Sequence, residues 1–145
     1  MTKRIFINKE LRKREKEILQ AVIDADVFWG MDAEQVEVCL VALEEYTIRT
    51  QGWYHESKDY VGPKGVLTCL IPKIWMNVAA YLHDGAYQAV EECVFSWMTK
   101  DIADKLFRVI GDVYDPNKTG ESKMTIVYYS AVKWLGKFFL KRGNK

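Results

Sequence analysis

Leu11, Ile18, Leu19, Val22 and Ile23 recur at helical spacing behind Asn8 and predict a first helix over 9–25, its charged start facing solvent. Asp32 opens a second as an N-cap, with Gln35 in the reciprocal capping-box position. Val36, Cys39, Leu40, Leu43, Tyr46 and Thr47 form its stripe, and Gly52 ends it. The pattern then breaks at Gly52, Gly62, Pro63 and Gly65, with Pro72 closing the segment, so 52–72 is a substantial loop. Ile74, Trp75, Val78, Ala79, Leu82, Ala86, Ala89, Val90 and Val94 predict a long third helix. Thr99 caps a fourth, where Asp101 suits the helix dipole and Ile102, Leu106, Phe107, Val109 and Ile110 are the apolar positions. The stretch Asp115-Pro116-Asn117-Lys118-Thr119-Gly120 is turn chemistry, and a last helix over 122–141 follows it. The expectation is an all-α fold of about five helices in one domain over 1–145: a helical pair in 1–51, a Gly/Pro loop, then an antiparallel helix pair.

Composition supports a globular chain: 145 residues, 49% hydrophobic and 28% charged, are enough for a core without disulfides or metals. Net charge is +1, so no overall field draws the molecule to nucleic acid, which is not expected as a partner. Basic residues gather at both ends, at Lys3, Arg4, Lys9, Arg12, Lys13 and Arg14 and at Lys133, Lys137, Lys141, Arg142 and Lys145, mostly as solvated faces. Cys39, Cys69 and Cys93 are an odd, widely spaced set, which points to a reducing compartment. The first residues turn charged before any signal-peptide stretch, and no run approaches the ~20 apolar residues of a membrane span. Export would need lysis or packaging in a particle.

The candidate chemistry centres on His83-Asp84-Gly85-Ala86-Tyr87. On a helix His83 and Tyr87 face the same way, while Asp84 is turned by about 100°. If the next helix pairs antiparallel through its central turns, Asp104 comes beside His83. A carboxylate on one imidazole nitrogen fixes the tautomer and leaves the other nitrogen to take a proton from water, a general-base dyad. Asp84 then remains for a hard cation such as calcium, with backbone carbonyls supplied by the loop Asp59-Tyr60-Val61-Gly62-Pro63-Lys64-Gly65. A cation beside a loop N–H would stabilise an oxyanion.

Tyr60-Val61-Gly62-Pro63, His83-Asp84-x-x-Tyr87 and Ala103-Asp104, in that order, resemble the phospholipase A2 pattern, particularly the short disulfide-free type of virus capsid proteins. The separations of 23 residues from Tyr60 to His83 and 21 from His83 to Asp104 are close to that type. The resemblance covers 58–140 and leaves the first two helices unexplained. It implies hydrolysis of the sn-2 ester of a glycerophospholipid without a covalent intermediate. His83 would be the base, Asp104 its orienting partner, and Tyr87 a brace through its hydroxyl. Asp84 and the carbonyls of Tyr60, Gly62 and Lys64 would hold calcium, and the Gly62 N–H would donate to the oxyanion. A phospholipid membrane is then the expected partner, and the host cytoplasm or a virion the expected location. The family has glycine where Lys64 stands, and a cation there opposes calcium.

Two other patterns are present. Gly65-Val66-Leu67-Thr68, Pro72 and His83-Asp84-x-x-Tyr87 resemble a small phage and bacterial domain family without an assigned activity, except that its usual Asp after the threonine is Cys69. A phage-like domain can keep the scaffold while using its surface for binding, so the alternative is an inactive particle or interaction module, with a phage structural or host protein as partner. His55, His83, Asp84 and Asp104 also follow the ligand order of the metal-dependent HD phosphohydrolases, a set suited to a transition metal. Asp115-x-Asn117-x-Thr119-Gly120 imitates half an EF-hand loop, but Ile126 stands at the bidentate position, so it reads as a turn. Tyr128, Trp134, Phe138 and Phe139 read as core. Interleaved with Lys133, Lys137 and Lys141, they could also face an anionic membrane.

Overall fold

The computed structural model describes residues 4–55, 60 and 76–114. Among these there are five helices and no strand: α1 (Lys9–Arg12), α2 (Glu15–Asp24), α3 (Ala33–Gln51), α4 (Asn77–Glu91) and α5 (Lys100–Tyr114). The fold is all-α, as the periodicity predicts. The turn at 115–120, the helix over 122–141 and most of the 52–72 loop lie outside the described residues.

The predicted helix over 9–25 is in fact two, because Arg14 leaves helical geometry at φ −124° and ψ 21°. Its guanidinium donates to the Val113 carbonyl at 3.0 Å and lies 5.1 Å from the centre of the Tyr114 ring. A contact with the end of α5 overrides the local pattern. The break also puts Glu15 at the start of α2, where its carboxylate accepts the backbone N–H groups of Ile5 and Phe6, each at 3.2 Å. Glu44 of α3, 1% exposed, takes the next two, Ile7 at 2.8 Å and Asn8 at 2.9 Å. Four consecutive donors of a segment with no strand partner are thus satisfied by two carboxylates.

The predicted caps are present. Asp32 accepts from the Gln35 N–H at 2.9 Å while the Gln35 side chain accepts from the Asp32 N–H at 3.0 Å. Gly52, at φ 81°, ends α3, and the Thr99 hydroxyl accepts from the Ile102 N–H at 3.2 Å at the start of α5. α2 and α4 stop in the same way, with Val27 bonded back to Val22 at 3.3 Å and Val94 to Ala89 at 3.0 Å. The residue before each is left-handed, Asp26 at φ 48° and Cys93 at φ 53°. These are Schellman ends without the usual glycine, which is why α4 stops at Glu91 and leaves Val94 outside the helix predicted to include it.

α4 is the most buried element, and α3 and α5 both pack along it. It runs antiparallel to α3, from Tyr46 hydrogen-bonded to Glu92 at one end to the Gly52 carbonyl accepting from Tyr81 at the other. At Gly85 the two helices come so close that a Cβ would lie 2.0 Å from Thr47 Oγ1 and 2.7 Å from Thr47 Cβ. The glycine inside the histidine motif is therefore a packing residue. α5 also runs antiparallel to α4, since Phe107 lies 5.1 Å from the His83 ring while Lys100 reaches Tyr87, one turn further along α4. No described helix is long and apolar enough to cross a membrane.

Candidate functional site

α4 presents His83 and Tyr87 to α5 one turn apart, and α5 answers with Asp104 and Lys100, also one turn apart. Asp104 is 0% exposed and both its oxygens are used. Oδ1 lies 3.0 Å from His83 Nε2 and accepts from the Tyr87 hydroxyl. Oδ2 accepts from Lys100 Nζ at 2.6 Å. The buried charge is therefore matched by one cation and two further hydrogen bonds, the arrangement a carboxylate needs to stay ionised away from water.

His83 is 6% exposed, its ring 3.9 Å from the Tyr87 ring, centre to centre. Burial lowers its pKa below the ordinary 6.5 against the raising effect of Asp104, and the Lys100 charge lowers it further. Burial acts to raise Asp104, but the hydrogen bonds from His83, Lys100 and Tyr87 outweigh it and hold the carboxyl below 3.8. The resting pair is a neutral imidazole beside a carboxylate. A carboxylate can only accept, so the proton sits on Nε2 and the lone pair on Nδ1. The arrangement can accept a proton at Nδ1 and stabilise the imidazolium that results.

The predicted trio His83, Tyr87 and Asp104 is thus brought together. Lys100 and Phe107 complete it and were not anticipated. Their signal was their spacing from Asp104, four residues before and three after, on the same helix face. Asp84 is half-buried on the adjoining face of α4. Tyr60 is buried elsewhere: its N–H donates to Asn77 Oδ1 at 2.8 Å, and its ring lies 5.4 Å from Tyr54 and 5.1 Å from Tyr81. Asn77 precedes His83 by about 9 Å along the helix axis. Gly62 and Lys64 lie outside the described residues.

His55, exposed just past α3, donates its backbone N–H to the Tyr60 hydroxyl at 3.1 Å. Among the described residues no three His, Cys, Asp or Glu side chains gather to hold a metal, so His55, His83, Asp84 and Asp104 are not assembled as a transition-metal set. The reason is direct: His83 Nε2 is committed to Asp104, and His55 sits by the separate tyrosine cluster. Of the calcium donors, the half-buried Asp84 has the right chemistry for a hard cation, but Tyr60 is tied to the start of α4. The described geometry carries no step through a metal. Cys39 and Cys93 are both free thiols.

Comparison of the chain with known protein families, with curated proteins and with solved structures returns no match.

Proposed function

We propose that the chain is a phospholipase A2-like lipid ester hydrolase of viral or phage type, with His83 as general base, Asp104 as its orienting partner and Tyr87 as a brace. The observation that carries this reading is the 3.0 Å approach of His83 Nε2 to a buried carboxylate that also accepts from Tyr87. Nδ1 takes a proton from water as the oxygen attacks the ester carbonyl, and the Asp104 carboxylate stabilises the imidazolium. The tetrahedral intermediate collapses when the imidazolium returns that proton to the departing alcohol. The resemblance assigns calcium to Asp84, no step here is routed through the ion, and its use by this chain is left to the assay below. The substrate would be met at a phospholipid surface, in a host cytoplasm or from a virion.

Fatty-acid release from phospholipid vesicles, with and without calcium, tests this. The expected result is release by the wild-type chain and loss to background in His83→Gln with the helical circular dichroism retained. An unchanged rate in His83→Gln sinks the reading. A second reading, an inactive particle or protein-interaction module on the same scaffold, is favoured by one observation: His83 is only 6% exposed and the Asp104 charge is already matched by Lys100, as in a structural network. It expects no release at any calcium concentration, with His83→Gln changing stability alone.

A further inference from the structure

We infer that Lys100 is a positioning residue of the dyad, its ammonium holding Asp104 Oδ2 so that Oδ1 is presented to His83 Nε2 and the Tyr87 hydroxyl. The inference rests on the reading of His83 as a general base. Asp104 Oδ1 serves two donors from α4, so a turn of the carboxylate about its Cβ–Cγ bond carries Oδ1 away from both. The third bond, 2.6 Å from Lys100 Nζ to Oδ2, opposes that turn from the other oxygen. It comes from the same helix four residues back, so the clamp is set by α5 itself and does not depend on how α4 sits.

The clamp is shielded. The Lys100 side chain is 22% exposed against 0% for Asp104, so solvent and salt screen the pair less than they would a surface ion pair. The ammonium also lies 5.9 Å from the centre of the Tyr87 ring, which places it against the second donor as well as the acceptor. Among the described residues the titratable groups facing Asp104 are His83 and Tyr87 from α4 and Lys100 from α5. A lysine here does more than satisfy a buried charge: it fixes the plane in which the carboxylate meets the imidazole.

The test compares Lys100→Met, Lys100→Gln and Lys100→Arg in the full chain. One readout is independent of turnover: the proton NMR resonance of the His83 Nε2–H, shifted downfield and protected from exchange when bonded to a buried carboxylate. It is expected in wild type and Lys100→Arg, and lost or moved upfield in Lys100→Met and Lys100→Gln. The second readout is vesicle hydrolysis, with kcat expected to fall by about 10- to 100-fold at unchanged KM and to recover in Lys100→Arg. Lys100→Gln carries the comparison if Lys100→Met does not fold. A resonance and a kcat unchanged without the charge overturn the inference, as does an equal loss in Lys100→Arg. Absence of hydrolysis in the wild type defeats the hydrolase reading instead, and the resonance still reports on Lys100.

Discussion

Asp104 and His83 divide their protons unequally, and the division is legible atom by atom. Because the carboxylate only accepts, the neutral imidazole must donate from Nε2, and its lone pair must be on Nδ1. Asp104→Asn tests this assignment more finely than removal of the histidine. An amide can donate to Nε2, which favours the proton on Nδ1 and takes away the lone pair that would accept from water. With the fold retained, fatty-acid release is expected to fall by about 10⁴-fold, the effect of the wrong tautomer in a histidine–aspartate pair, a magnitude taken from serine proteases. Retained release would mean that Nδ1 is not the basic atom. His83, Tyr87 and Asp104 were visible in the sequence because i, i+4 spacing on one helix and a central crossing with the next suffice to place them. Lys100 was harder to see, since an i, i+4 Lys–Asp pair on a helix is usually a solvated surface pair of little consequence, and only the burial of Asp104 separates this one from those.

Gly85 shows the same gap at the level of elements. A glycine in mid-helix is unfavourable by about 1 kcal/mol relative to alanine, so by helix propensity alone Gly85→Ala should stabilise. The contact with Thr47 reverses the sign. A methyl group there meets Oγ1 at 2.0 Å and Cγ2 at 2.8 Å, on a threonine that is fully buried and hydrogen-bonded to the Leu43 carbonyl at 2.7 Å. Gly85→Ala is therefore expected to destabilise by about 1–3 kcal/mol in urea unfolding. Thr47→Ala removes two of the three crowding atoms, so the double variant should recover part of that loss, and strictly additive effects would show that the helices do not meet there. Caps with a polar signature, at Asp32 and Thr99, and the glycine stop at Gly52 could be read directly. The Schellman ends at Asp26 and Cys93 could not, because cysteine does not advertise a left-handed backbone and aspartate does so far more weakly than glycine. The break at Arg14 depends on the far end of α5, which no local window contains.

Residues 4–51 precede the helices that carry the histidine–aspartate pair, yet they are built into its support. Thr47 fixes how closely α3 meets α4, and Arg14 holds the end of α5, the helix that carries Asp104 and Lys100. The protonation of the site should consequently be felt in the unfolding of the described scaffold. His83 titrates below 6.5 when folded, because burial disfavours its charged form, and Asp104 below 3.8. In each case the folded state binds fewer protons than the unfolded state just below the ordinary pKa, so stability increases with pH across that window. The contribution of His83 is fully present above pH 6.5 and is lost as pH falls through its folded value, and that of Asp104 is lost from 3.8 downward. Unfolding free energies from urea titrations between pH 8 and pH 3 should hold steady above about pH 7, then fall in two stages, each no steeper than about 1.4 kcal/mol per pH unit per proton. His83→Gln should flatten the upper stage and leave the acid limb. If the upper stage has the same slope in wild type and variant, the protons are taken up elsewhere and His83 is not the buried neutral base on which the dyad depends.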